Sequence, residues 1–82
     1  MINVYVEAGK RIHATRLSHG YTRKYLAELA SISPKFLYEI ENGKKGFSAQ
    51  VLYNLCTALN VDCNYIMMGK EKESDTNDLE ET

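Results

Sequence analysis

The sequence predicts an all-α fold, five short helices in one small domain. Three observations carry this. Helix-starting residues recur at Thr22, Ser33, Ser48 and Asp62, and helix-ending residues follow at Gly20, Gly43, Asn60 and Gly69. The single proline, Pro34, stands directly after a serine, at the first helical position where its missing N–H costs nothing. The sustained alternation of β-branched residues that marks strands is lacking. With 82 residues the chain forms one domain with a small core, and 44% apolar content is ordinary for a globular protein.

The first helix is expected from about Val4 to His19, with Ala8, Ile12 and either Val4 or Tyr5 along one stripe and Leu17 beside them. Gly20 closes it and Tyr21 bridges to the next. Thr22 caps the second helix, whose inward face is Leu26, Ala27 and Ala30, with Ala27 small where two helices cross. Ser31-Ile32-Ser33 is too short for a helix and reads as a turn, plugged by Ile32. Ser33 and Pro34 start the third helix. Its Leu37 and Ile40 face inward, which leaves Lys35, Phe36, Tyr38 and Glu39 outside, and Gly43 ends it in a left-handed conformation. The fourth helix runs from Ser48 to Asn60 on a stripe of Val51, Leu52, Leu55, Cys56 and Leu59. The fifth runs from Asp62 to Gly69.

Residues 22–43 thus read as two short helices joined by a three-residue turn. That is the layout of a helix-turn-helix, which holds its second helix out from the core at an angle that suits the DNA major groove.

The formal charge of −1 conceals an uneven distribution. Residues 71–82 carry six acids and one lysine, a net of −5, whereas residues 1–70 carry nine Lys/Arg and five Asp/Glu, a net of +4. The expected organisation is a mildly basic domain over 1–70 and an acidic tail over 71–82. With Leu79 as its one large apolar residue, the tail cannot pack a core. It is either a solubilising disordered end, a mimic of DNA charge, or an extra helix used by a partner.

No apolar run approaches a membrane span, and MINVYVEAGK lacks the pattern of a secretion signal, so a cytoplasmic protein with no membrane contact is expected. Cys56 and Cys63 are seven apart; inside a cell a structural disulfide is disfavoured. Cys56 reads as a buried small residue and Cys63 as the more exposed one, with redox sensing as its alternative role. His13 and His19 are far from both cysteines and are read as exposed, so no metal site is expected. No nucleophile–His–carboxylate arrangement is visible; neither an enzyme nor a cofactor is expected.

The stretch from Gly9-Lys10-Arg11-Ile12 to Tyr65-Ile66-Met67-Met68-Gly69 resembles the Cro/C1-type, or XRE-type, helix-turn-helix family of phage and bacterial regulators, with a lambda-repressor-like DNA-binding domain. The resemblance rests on Arg16, Leu26-Ala27, Ile32-Ser33, Leu37, Ile40-Glu41-Asn42-Gly43, Ala58-Leu59-Asn60-Val61 and Tyr65-Ile66 in order. Ser31 departs from it, standing where the family usually has glycine in a left-handed turn position. In similar proteins the positions of Arg16 and Glu41 form a partly buried ion pair tying the first helix to the end of the recognition helix, and the resemblance implies the same here.

On this reading the third helix enters the major groove N-terminus first. Ser33, Pro34, Lys35, Phe36 and Glu39 are the candidate base contacts, with Lys35 donating to guanine. Phe36 meets a thymine methyl or packs under the turn; Glu39 accepts from cytosine or pairs with Lys35. Thr22, Arg23, Lys24, Tyr38, Asn42, Lys44 and Lys45 are the candidate phosphate contacts. So small a domain is expected to act as a homodimer on a palindromic operator in double-stranded DNA, and to repress transcription from it. Tyr65, Met67 and Met68 are the candidate interface; Tyr53 and the segment Met1–Tyr5 are further possibilities. The alternative reading is an antitoxin that autoregulates its operon while holding a toxin; an antirepressor is the other candidate protein partner.

Overall fold

The helices follow from how each one starts and stops. The computed structural model describes residues 3–69. In it α1 spans Val4–Ser18, α2 Arg23–Leu29, α3 Pro34–Glu41, α4 Ala49–Leu59 and α5 Cys63–Met68. Each begins at a side-chain cap. Asn3, Thr22, Ser33, Ser48 and Asp62 accept hydrogen bonds from backbone N–H groups of the turn they open.

Four of the five helices end in one way: the chain turns through a left-handed residue and the N–H of the next residue, two or three positions beyond the helix, closes back on it. Those bonds are Tyr21 N to Arg16 O, Ile32 N to Ala27 O, Lys44 N to Glu39 O and Val61 N to Cys56 O, at 2.8–3.2 Å. The left-handed residue is glycine at Gly20 and Gly43, but Ser31 (φ 60°) and Asn60 (φ 57°) at the other two. Asparagine tolerates this backbone; serine at 31 carries a modest cost.

All five helices contribute to one core. Ile12, Leu26, Leu37, Ile40, Leu55, Leu59 and Ile66 are its large, fully buried side chains. Each contributes about 1.5–3 kcal/mol of transfer free energy. α1 packs on α3 and α5, and α2 packs on α3 and α4. The crossing of α1 and α3 is set by Gly9: a β-carbon there would fall on the Ile40 carbonyl oxygen.

The inward face of α1 is Ala8, Gly9, Ile12, Thr15 and Arg16. Val4 and Leu17, expected on or beside this stripe, are 49% and 56% exposed. The face is narrower and more polar than apolar periodicity suggested, because a glycine and an arginine occupy part of it. Polar contacts then lock α1 to its neighbours. Arg11 Nη1 donates to the Ile66 carbonyl at 3.0 Å, and His19 Nε2 lies 2.7 Å from the Leu59 carbonyl oxygen. His19 is exposed as expected, yet it bridges the ends of α1 and α4. Asn54 Nδ2 of α4 donates to Ala30 O, satisfying a carbonyl at the end of α2.

Among the described residues no helix is long and apolar enough to cross a membrane. The acidic tail over 71–82 lies outside the described residues.

Candidate nucleic-acid interface

α3 is held by its two ends. At the start, Ser33 Oγ accepts from Phe36 N at 3.0 Å, so its O–H stays free to donate outward. At the end, the Glu41 carboxylate is buried under three basic side chains. Arg16 grips it as a fork, Nε to Oε2 at 2.7 Å and Nη2 to Oε1 at 3.2 Å. Arg23 Nε donates to Oε1 at 3.1 Å, and His13 Nδ1 lies 3.1 Å from the same oxygen. The third corner of Arg16, Nη1, donates to the Tyr21 carbonyl. Burial raises the Glu41 pKa, but hydrogen bonds from Arg16, His13 and Arg23, with the charge of Arg16, outweigh it and hold the carboxyl below its ordinary value. The cluster fixes α1, the start of α2 and the end of α3 to one another.

Between these ends α3 presents an outward face. Ser33, Pro34, Lys35 and Tyr38 are exposed. Lys35 and Lys24 have no acidic partner among the described residues. Phe36 is half-buried and packs against the core, so it is not wholly outside as its position in the helix suggested. Burial of its apolar ring against the core draws it inward. Glu39 is also half-buried, and its nearest cation is Lys45 at 3.9 Å rather than Lys35. The loop after α3 folds back, with Lys44 N bonded to Glu39 O, and this brings Lys45 closer.

Tyr38 brings two of the candidate phosphate contacts together. Its ring carries the Arg23 guanidinium at 5.3 Å and the Lys44 ammonium at 5.8 Å. Thr22, Lys24, Asn42 and Lys45 are exposed. The Thr22 hydroxyl oxygen caps α2, and Asn42 Nδ2 donates to the Tyr38 carbonyl. Arg23 is thus no free cation but is shared between Glu41 and Tyr38. Neither this nor the His13 contact was visible in the sequence, where His13 stands 28 residues from Glu41 and Arg23 stands 18 from it.

Among the candidate pairing residues, Tyr53 and Met68 are each 62% exposed. Tyr65 and Met67 are half-buried and pack against the core. The free apolar surface of α5 is therefore smaller than the sequence suggested.

The profile of the helix-turn-helix domain family matches residues 9–72. The chain belongs to the XRE-type helix-turn-helix family. It is 32% identical over 60 residues to the transcriptional regulator ClgR of Mycobacterium tuberculosis, covering 73% of this chain and 54% of that protein. The chain thus spans about half the length of the curated relatives it matches. The crystal structure of the clp gene regulator ClgR from Corynebacterium glutamicum superposes with a TM-score of 0.77 at 29% identity, over 79% of this chain and 69% of that one. The N-terminal DNA-binding domain of SinR from Bacillus subtilis gives 0.69 at 30% identity, over 79% and 93%. The matched stretch takes in α2, the turn after it and α3.

Proposed function

We propose that this chain is a sequence-specific regulator of transcription, a repressor that binds a palindromic operator in cytoplasmic double-stranded DNA as a homodimer. The observation that carries this is the convergence of Arg23, Tyr38 and Lys44 beside an α3 whose N-terminal residues are exposed. Cations flank a helix end that is free to enter a groove.

Lys35 is the principal base reader, donating to guanine O6 or N7, with Ser33 and Pro34 at the groove edge. Glu39 and the exposed rim of Phe36 read the neighbouring pairs. Thr22, Arg23, Lys24, Tyr38, Asn42, Lys44 and Lys45 hold phosphates and carry no sequence information. The fixed position of Arg23 lowers the entropy lost when it meets a phosphate. Pairing through Met68, with Tyr65 and Met67 at its edge, presents two copies of α3 to half-sites one helical turn apart.

Selection of bound sites from random duplexes, followed by fluorescence anisotropy on the selected site across a salt series, tests the reading. Four cationic phosphate contacts per protomer predict a slope of log affinity on log salt of about −7 for the dimer. A selected pool with no shared motif, or an affinity indifferent to salt, overturns it.

A further inference from the structure

Cys56 and Cys63 come together at the corner between α4 and α5. Cys56 lies in the last turn of α4, and Cys63 is the first residue of α5. Between them the left-handed Asn60 reverses the chain, and Val61 N bonds back to Cys56 O at 3.0 Å. Both cysteines are free, and both line one surface cleft of about 450 Å³, together with Tyr53, Asn60 and Asp62. Cys56 is 3% exposed and Cys63 is half-buried. No group of three or more His, Cys, Asp or Glu side chains is placed to hold a metal among the described residues, so the pair lacks a third protein ligand.

We propose that this corner is a thiol-oxidation site, at which Cys56 and Cys63 close a reversible intramolecular disulfide in response to a hydroperoxide. Cys63 reacts first because it is the more open of the two. Its thiol gives up a proton, and the sulfur attacks one oxygen of hydrogen peroxide. The O–O bond breaks, leaving a sulfenic acid on Cys63 and releasing water once the departing oxygen is protonated. Cys56 sulfur then attacks Cys63 sulfur and the S–O bond breaks. The departing hydroxyl leaves as a second water, carrying the Cys56 proton. Two thiols supply two electrons, and one peroxide is reduced to two waters.

The order of events has a physical basis. The Cys56 thiol is pushed up to about 12, first by burial and then by Cys63 and Asp62. It is a poor first nucleophile. The disulfide pins the end of α4 to the start of α5, away from α3.

Intact-mass spectrometry with thiol counting, on the reduced full chain treated with hydrogen peroxide, tests the site. The expected product is a monomer lighter by two hydrogens, with no free thiol, restored by dithiothreitol. Cys63→Ser is expected to leave Cys56 unreacted, because the exposed partner is gone. Cys56→Ala is expected to stop at an oxygenated Cys63 that dimedone traps. Accumulation in the unmodified sequence of oxygenated Cys63 beside a free Cys56, a disulfide between two chains, or no reaction overturns the proposal.

Discussion

Arg23 Nε donates to Glu41 Oε1 across 3.1 Å, tying the first residue of α2 to the last of α3. The same carboxylate is gripped by Arg16 from α1. The two arginines differ in depth: the Arg16 side chain is 6% exposed and that of Arg23 is 34%. One carboxylate therefore serves the core through Arg16 and steadies the outward face through Arg23, so the two arginines should respond differently to substitution.

Arg16→Met should destabilise the fold by about 3 kcal/mol, the lower end of the range for breaking a buried pair. Arg23 remains paired with the Glu41 carboxylate, which keeps the loss from being larger. The double change with Glu41→Leu should recover part of it. Urea melts of the two single variants and the double give the coupling; additive losses would contradict the pairing.

Arg23→Ala should leave most of the stability intact, because a partly exposed pair contributes little. It should weaken binding to all duplexes about equally. Lys44→Ala should do the same and flatten the salt slope by about 1. Lys35→Ala should cost about 1–3 kcal/mol and relax preference at one or two positions. Anisotropy on a panel of single-base operator variants separates these outcomes. Equal loss of preference from all three would mean that α3 meets DNA in another orientation.

The acid limb of stability should belong largely to Glu41. Its pKa is lowered from 4.5 in the folded chain. The unfolded chain therefore takes up the proton first as pH falls. The contribution is fully present above the unfolded pKa and is lost as pH drops through the folded one. Melting temperature followed downward from pH 6 should show this loss below about pH 4. Glu41→Gln should start lower and have a flatter acid limb.

Two backbone positions should respond in opposite directions. Gly9→Ala places a β-carbon on the Ile40 carbonyl oxygen, forces α1 from α3, and should cost about 1–3 kcal/mol or more. Ser31→Gly relieves a left-handed serine and should stabilise by up to about 1 kcal/mol. Thermal melts decide both, and a neutral Gly9→Ala would mean the crossing can open without loss.

Met68→Lys should shift the protein toward monomer in analytical ultracentrifugation. Its side chain is 62% exposed and is not needed by the core. Binding to an operator with two half-sites should weaken while binding to one half-site hardly changes. An unchanged sedimentation coefficient would move the interface elsewhere, with Tyr53 the next candidate.

The sequence by itself determined the five helices and their ends, because caps and left-handed stops act within a few residues. Thr22, Ser33, Ser48 and Asp62 start helices by bonding N–H groups two or three positions on. Gly43, Asn60 and even Ser31 stop them through bonds spanning one turn. The inward residues Leu26, Ala27, Leu37 and Ile40 were legible for the same reason, through helical periodicity. Only the tertiary structure decided which helices meet and what their side chains do there. It drew Phe36 inward, turned Glu39 toward Lys45, left Leu17 in water, brought Arg23 and His13 to Glu41, and set Cys56 and Cys63 on one cleft. Periodicity assigns a face to each residue, but the partner on that face lies on another helix. Its distance depends on crossings such as that at Gly9, where the lack of a single β-carbon sets how closely two helices approach.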